Sequence, residues 1–185
     1  MKLLWVFSTF AIGGPQRRAA LLMERFGGEH EHIGVALDNQ WQAEQFIGGG
    51  VRWRRLPLAF GKSRFVSLSN LSLIYRTLKE LAPDLLLTSN WGTIEWAIAN
   101  CGRGRVRHIH FEDGFGPDES ASRQSPRRVL ARRLLLRNRP VVVPSVTLRE
   151  LAISCWRLPA AGVHFIPNAI DVARYAQPVK SGGPL

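Results

Sequence analysis

Short apolar runs alternate with amphipathic segments along the whole chain, and the two kinds of segment differ in period. The runs are rich in Leu, Val and Ile, which is typical of strands buried on both faces of a parallel sheet. The segments between them carry apolar residues at helical spacing. The pattern predicts strands at 3–8, 32–37, 51–56, 84–88, 106–111, 140–143 and 163–166, and helices at 16–26, 41–47, 64–82, 94–100, 125–138 and 145–154.

The order of these segments predicts the fold class. Strands that alternate with helices indicate an α/β architecture, here a doubly wound, Rossmann-like parallel sheet with right-handed crossovers. No repeat or internal linker interrupts the pattern, so residues 1–175 are expected to form one domain. The Gly- and Pro-rich segment 176–185 is expected to be a loose tail or the start of an interdomain linker.

Candidate chemistry is expected where the strands end, because ligands of such sheets bind at the carboxyl ends of the strands, near the point where the strand order reverses. Gly13, Gly14 and Arg17 follow the first strand. Glycines let backbone amides approach a ligand, and the helix that begins near Pro15 directs its positive end at anions. A tight strand–helix turn explains the same glycines, so both interpretations stand.

Polar residues also follow the fourth and sixth strands. Asn90 and Trp91 suit a sugar or ring held by hydrogen bonds and stacking, although an N-cap and a packed indole explain them as well. Ser145 precedes a helix and is expected to be its N-cap. We expect Gly13, Asn90, His110 and Ser145 to lie on one rim of the sheet.

The densest polar cluster follows the fifth strand and includes His108, His110, Glu112 and Asp113. Because side chains alternate along a strand, His108 and His110 share one side of it. An imidazole beside carboxylates at a strand end suits acid–base or hydroxyl-binding chemistry. The spacing is not that of a metal site, and histidines that are hydrogen-bonded in the core are the simpler alternative.

The chain is basic, with 25 Lys and Arg against 14 Asp and Glu and a formal net charge of +11. Such a balance favours anionic partners such as nucleic acid, acidic lipid or phosphorylated substrates. The arginines form two clusters, one at 103–107 and one at 123–139. The sequence carries no motif of a specific DNA- or RNA-binding fold.

The second cluster lies on the helix expected at 126–138. Leu130 and Leu134 lie one turn apart and are expected to face the sheet. The arginines would then form outward stripes with Arg128, Arg132, Arg133 and Arg137. The helix is interpreted either as a solvated face or as a peripheral contact with an anionic membrane, with Leu136 the one apolar residue left to enter the lipid.

Cysteine usage and the amino-terminal pattern indicate a cytoplasmic protein. Cys101 and Cys155 both lie in apolar stretches, so packed free thiols in a reducing compartment are expected. The apolar start of the chain leads into Gly13 and Gly14 without a cleavage site, which favours a buried strand over a signal peptide.

Three segments carry a resemblance to a known family. They are residues 7–17 with a Gly-Gly pair after a strand, residues 141–145 with a strand followed by Pro-Ser, and residues 165–171, which are similar to a Pro-Asn-Gly-Val-Asp signature with Ala169 in place of Gly. The sequence resembles, over about residues 1–175, the N-terminal domain of the GT-B glycosyltransferases, and among them the retaining glycosyltransferase family 4.

The resemblance implies the acceptor-binding domain of an enzyme that transfers a sugar from a nucleotide-sugar donor to a glycan, lipid-linked or small-molecule acceptor. It implies no metal and no cofactor, since the nucleotide-sugar is a substrate. The family's donor-binding domain would begin where this chain ends, so the donor half is expected on another chain, or to be missing from a fragment or truncated product. The chain alone is therefore expected to be inactive.

The resemblance also assigns residues. Gly13 and Gly14 match the loop that approaches the donor phosphates. Either His110 or Asp113 matches the catalytic position, because residues 112–114 are Glu-Asp-Gly where many members have Glu-His-Gly. The other matches are Arg17 for the phosphates and Asn90, Trp91, Glu112 and Ser145 for the acceptor.

Two alternatives to this function follow from the residues. The chain could be a Rossmann-like module that binds anions or nucleic acid through its arginines, in which case binding depends steeply on salt. It could also be a truncated product that folds without activity.

Overall fold

The computed structural model of the chain describes residues 1–60, 66–101, 106–115 and 119–168. Within them, one parallel sheet contains seven strands: β1 Lys2–Phe7, β2 Glu31–Ala36, β3 Arg52–Arg55, β4 Leu85–Ser89, β5 Arg107–Phe111, β6 Val141–Val143 and β7 Val163–Phe165. The strand order is β3-β2-β1-β4-β5-β6-β7, so the order reverses between β1 and β4. This topology confirms the predicted doubly wound α/β fold.

Helices connect these strands, and each predicted element has a counterpart. The α-helices of the described residues are α1 Gly14–Phe26, α2 Leu68–Leu81, α3 Ile94–Ala99, α4 Pro126–Leu136 and α5 Val146–Ser154. The short helix expected at 41–47 is a 3₁₀ helix at Gln42–Phe46. Arg103, Arg105 and Ala169, together with the segment 176–185 and the domain boundary at 175, lie outside the described residues.

The sheet is covered on both faces, as a parallel sheet requires. Alternation along β1 sends Trp5 and Phe7 to one face, where they pack with α1. It sends Leu4 and Val6 to the other face, where they pack with α2 and α3. A third apolar cluster joins β6 and β7 to α4 and α5. These clusters hold the helices so that the carboxyl ends of β1, β4 and β5 open at one edge.

Helix α4 turns a different face inward from the one predicted. Leu130 and Leu134 are 54% and 69% exposed, whereas Arg132 is 1% exposed. Arg132 is buried because it forms ion pairs with Glu112 and Glu119, which are themselves buried. The predicted orientation is wrong because a hydrophobic pattern counts every arginine as a surface residue, while the partners of this one lie on other segments.

The correction also changes the basic face of α4. Leu136, which was expected to be free to enter lipid, is buried, and Arg132 contributes no outward charge. Arg128 is largely covered by its ion pair with Glu119. The exposed face of α4 and the residue after it contains Arg127, Leu130, Arg133, Leu134 and Arg137.

The two cysteines are free thiols, but one of them is not packed. Cys155 is half-buried, whereas Cys101 is exposed after the end of α3, so the expectation of packing is wrong for Cys101.

As for membrane spans, none of the helices in the described ranges is long and apolar enough to cross a bilayer.

Candidate functional site

A cleft of about 390 Å³ opens at the carboxyl ends of β1, β4 and β5. This is where the strand order reverses, the position at which doubly wound sheets bind ligands. Of the residues expected at the site from sequence, Asn90, Trp91 and Asp113 line the cleft. Its full lining is Ser8, Pro15, Asn90, Trp91, Gly92, Asp113, Gly114, Phe115 and Arg128.

Asn90 joins the ends of β4 and β5 beside the cleft. Its backbone N–H donates to Phe111 O at 2.8 Å, and its Oδ1 accepts a hydrogen bond from the backbone N–H of Asp113 at 2.7 Å. Its backbone has φ 59° and ψ 176°, a region that glycine tolerates and that costs other residues about 1–3 kcal/mol. The side chain offsets this strain, since it fixes the loop that carries Asp113.

Gly92 allows the turn after β4 to pack against the end of β1. A Cβ atom at this position would overlap Ser8 Oγ and lie 3.0 Å from Ser8 Cβ. Because both residues line the cleft, any side chain at position 92 would push the two strand ends apart.

Asp113 is held in the cleft by Arg18, a residue that the sequence pattern did not single out. Arg18 Nη1 lies 2.6 Å from Asp113 Oδ1, and the two side chains are 15% and 6% exposed. The same nitrogen donates a hydrogen bond to Asn168 Oδ1 at 2.8 Å. The Arg18 guanidinium also lies over the ring of Phe111, 5.1 Å from its centre. Arg18 thereby connects the loop after β5 with the segment after β7.

The Asp113 carboxylate has unused acceptor capacity. Within the described ranges, neither of its oxygens accepts a hydrogen bond of good geometry. The ion pair with Arg18 balances its charge and leaves lone pairs unused, and both carboxylate oxygens are themselves buried. A carboxylate in such a place accepts hydrogen bonds from hydroxyl groups and stabilises developing positive charge.

Arg17, the arginine expected at the site from sequence, lies over the ring of Phe46 at 4.6 Å and does not line the cleft. Successive residues of a helix point in different directions, so Arg17 and Arg18 leave α1 on different sides. Arg18 lies one turn before Leu22, on the apolar face of the helix. That position is a sequence signal that would have favoured Arg18 over Arg17 as the arginine at the site.

Two arginines of α4 support Trp91 at the cleft. The guanidinium carbons of Arg128 and Arg132 lie 5.3 Å and 5.2 Å from its ring centre. Arg132 also lies 4.7 Å from the ring centre of Trp156. Cation–π contacts of this kind contribute about 0.5–2 kcal/mol each, so α4 holds Trp91 in one orientation.

A chain of buried polar side chains runs behind the cleft. His108 Nε2 lies 2.6 Å from Thr88 Oγ1, which lies 2.8 Å from His110 Nδ1. Because a hydroxyl group has one proton, Thr88 donates to one imidazole and accepts from the other. His110 Nε2 lies 3.4 Å from Glu112 Oε2, and the same oxygen accepts from Arg132 Nε at 3.1 Å. The chain links the interior of the sheet to α4.

This arrangement changes the expected places of His110 and Glu112. His110 is 0% exposed and Glu112 is 1% exposed, and neither lines the cleft. His110 lies at the carboxyl end of β5, as expected, but it is buried and does not line the cleft. Burial above all, with His110 and Arg139 adding to it, holds the pKa of His108 well below its ordinary value, so His108 is neutral.

Glu119 anchors the outer end of the same network. Its Oε2 lies 3.1 Å from Arg128 Nη1 and 3.2 Å from Arg132 Nη2, and its Oε1 accepts from the backbone N–H of Ser125 at 3.0 Å. Burial alone would raise the pKa of Glu119, but the Ser125 N–H and the two guanidinium groups together lower it. The ionised carboxylate therefore fixes the start of α4.

The remaining sequence candidates lie at helix starts. Gly13 is the N-cap of α1, where no side chain caps the helix and the first turn has no acidic residue. A Cβ added to Gly14 would meet nothing within 4 Å, so packing does not require that glycine. Ser145 Oγ accepts from Leu148 N–H at 3.2 Å, which confirms it as the N-cap of α5.

A family model described as a glycosyl transferase 4-like domain matches residues 13–169. A comparison with curated protein sequences gives no significant match.

Solved structures share the fold at low sequence identity. A glycosyltransferase from Rickettsia africae aligns with 95% of this chain and 45% of its own, with a TM-score of 0.65 and 12% identity. HepE from Anabaena, in complex with UDP, aligns over 95% and 46%, with a TM-score of 0.62 and 16% identity. MnaA from S. aureus, solved with UDP, aligns over 98% and 49%, with a TM-score of 0.59 and 16% identity. The chain spans about half the length of each of these structures.

Proposed function

The chain belongs to the family of glycosyl transferase 4-like domains and has the fold of the N-terminal half of a GT-B enzyme, and from this we propose that it binds the acceptor in a sugar-transfer reaction. The complete enzyme moves a sugar from a nucleotide-sugar to a hydroxyl group of a glycan, a lipid-linked sugar or a small molecule. The observation that carries the proposal is the cleft, which Trp91 and Asp113 both line and in which the buried Asp113 carboxylate has no hydrogen-bond donor of good geometry among the described residues. HepE and MnaA, whose structures contain UDP, support a uridine nucleotide in the donor.

The donor lies across the cleft, with its phosphates near the start of α1. The uncapped helix end at Gly13 and Gly14 offers backbone N–H groups and a positive dipole to the diphosphate. In the retaining transfer that we propose, the bond from the anomeric carbon to the diphosphate breaks and a bond to the acceptor oxygen forms. The acceptor proton passes to the departing phosphate, whose growing negative charge the helix end stabilises.

Asp113, rather than His110, is the residue that contacts the transferred sugar in this proposal. Asp113 lines the cleft, and its carboxylate stabilises the positive charge that the sugar gains as the diphosphate departs. His110 contacts Thr88 and Glu112 behind the cleft, so we assign it a positioning task.

On the acceptor side, Trp91 lines the cleft and Asn90 holds the adjoining loop. Glu112 and Ser145 act indirectly, through other residues. Glu112 orients Arg132, which supports Trp91, and Ser145 caps α5.

The test is transfer from a panel of UDP-sugars by the chain joined to a donor-binding half, with NMR of the anomeric proton in the product. We expect UDP release that depends on the acceptor, and a product with the anomeric configuration of the donor. An inverted product would contradict the retaining chemistry, and a lack of transfer across donors and acceptors would contradict the proposed function.

We also propose that the exposed face of α4 contacts anionic membranes. The proposed location is the cytoplasm, whose reducing conditions suit the two free thiols. Arg127, Arg133 and Arg137 flank the outward Leu130 and Leu134, and each arginine near such a surface contributes about 1 kcal/mol. We expect the chain to float with anionic vesicles at low salt and to leave them at high salt. A chain that stays free of anionic vesicles at low salt would exclude this contact.

A further inference from the structure

A second cavity, of about 400 Å³, lies on the opposite side of α4 from the cleft. At 3.6 residues per turn, Leu130 and Arg133 leave α4 on the face opposite to Arg128 and Arg132, which contact Trp91. The cavity is therefore separate from the proposed sugar site. Its lining is Ala121, Ser122, Gln124, Pro126, Val129, Leu130, Arg133, Cys155 and Arg157.

Gln124 gives this cavity an oriented hydrogen-bond donor. Its Oε1 accepts a hydrogen bond from Trp156 Nε1 at 2.5 Å, and Trp156 is fully buried, so the amide cannot flip without losing that bond. The amide nitrogen Nε2 is buried and has no hydrogen-bond partner in the described part of the chain. A buried polar group left unpaired destabilises the fold, so the site favours a ligand that accepts a hydrogen bond from it.

Two arginines add positive charge to the same cavity. Arg133 on α4 and Arg157 after α5 both line it, and neither forms an ion pair with a carboxylate among the described residues. Arg157 has φ 57°, a left-handed conformation that is uncommon outside glycine. Pro126, Val129 and Leu130 make one wall of the cavity apolar.

We propose that this cavity binds the phosphate group of an anionic ligand. Guanidinium groups recognise phosphate oxygens through charge-assisted hydrogen bonds, and Gln124 Nε2 supplies a further, fixed donor. The apolar wall accommodates the carbon atoms next to the phosphate. A phospholipid headgroup and a free phosphate share this chemistry. The inference does not depend on sugar transfer, because none of these residues lines the cleft.

The test follows the indole N–H resonance of Trp156 by NMR while the chain is titrated with inorganic phosphate or, separately, with monomeric short-chain phosphatidic acid. Because Trp156 donates to Gln124, a ligand on the same amide shifts this resonance. We expect a saturable shift with at least one of the two. If phosphatidic acid binds about tenfold or more tightly than inorganic phosphate, the cavity is a headgroup site. If the two ligands bind with similar affinity, it is a site for free phosphate. A resonance that neither ligand shifts overturns the proposal.

Two variants and a control locate the binding. Gln124→Glu keeps an oxygen that accepts from Trp156 but replaces the amide donor with a carboxylate, so the Kd should rise about tenfold or more. Arg157→Gln should weaken binding in the same way. Arg25→Gln makes the same change of charge as Arg157→Gln, at an exposed position on α1 outside the cavity, and should alter the Kd less than about twofold. Wild-type affinity in Gln124→Glu, or an equal loss in Arg25→Gln, contradicts the site, with thermal unfolding as the check that each variant is folded.

Discussion

Arg18 is the residue on which the position of Asp113 depends most directly. Arg18→Gln would leave a carboxylate that is 6% exposed without its cation, and we expect the free energy of unfolding to fall by about 3 kcal/mol. Urea unfolding at neutral pH measures the change. Arg25→Gln, on the same helix but exposed, is the matched control, with an expected change below about 0.5 kcal/mol. The explanation fails if both variants are equally stable, or if adding Asp113→Asn to Arg18→Gln recovers no stability.

Asn90 combines backbone strain with a side-chain tether, and two substitutions separate them. Asn90→Gly removes the tether but relieves the strained backbone at φ 59°, so its stability should stay within about 1 kcal/mol of wild type. Asn90→Ala removes the tether and keeps the strain, so it should lose about 2 kcal/mol or more. Thermal unfolding of both variants checks this order. Equal stabilities for the two would show that the backbone conformation is not strained.

At the scale of residues, sequence reasoning succeeded where position along a strand decides the outcome. Asn90, Trp91 and Asp113 were placed at the cleft because they follow apolar strands. The burial of His110 was not predicted, because the strand period gives the side of the sheet but not the depth, which depends on Thr88 and Glu112. Arg18 was missed because its partner, Asp113, lies far away in sequence.

Helix α4 is held to the sheet by its buried arginine. Arg132→Gln would leave Glu112 and Glu119 without that cation, and we expect a loss of about 3–5 kcal/mol in the free energy of unfolding. Arg137→Gln, on the exposed side, should change it by less than about 0.5 kcal/mol. Denaturant unfolding monitored by the Trp fluorescence measures both. Comparable values for the two variants would mean that the buried network contributes no stability.

At the scale of elements, the strand and helix periods of the hydrophobic pattern were sufficient to predict that each strand and helix exists and which of the two it is. Every strand was predicted within one or two residues, and most of them are continuous apolar runs, as buried parallel strands are. The edge strand β3, which reads Arg-Trp-Arg-Arg, is an exception. The face of α4 was not predictable in this way. Its inward residue is an arginine whose burial depends on Glu112, Glu119 and two tryptophans on other elements.

The whole molecule should lose stability as the pH falls below 6.5. Burial lowers the pKa of His32 to about 4 and that of His108 well below its ordinary value, so the unfolded chain binds protons that the folded chain does not. Each histidine then contributes up to about 1.4 kcal/mol per pH unit. This stability is complete above pH 6.5 and is lost as the pH falls toward 4. The lowered pKa of Glu119 adds a further loss at more acidic pH.

Urea unfolding between pH 7.5 and pH 4 checks this slope. His32→Gln keeps an oxygen that can accept the hydrogen bond of Trp5 Nε1 but cannot titrate, so its stability should fall less steeply with acid. Identical slopes for His32→Gln and wild type would show that His32 does not couple protons to folding.

The whole-molecule fold was predictable because alternating strands and helices admit few topologies. The expectation of a second, donor-binding half came from resemblance to a family and not from the hydrophobic pattern. The chain aligns with about half of each of the solved structures that share its fold.

The central claim is that sugar transfer takes place at the cleft through Asp113, and one comparison tests it most directly. In the chain joined to a donor-binding half, Asp113→Asn should lower kcat for UDP release about 100-fold or more, as expected for a group that acts in the transition state. Asp38→Asn makes the same chemical change at an exposed position after β2 and should retain kcat within about twofold. An Asp113→Asn enzyme that turns over as fast as Asp38→Asn would contradict the claim.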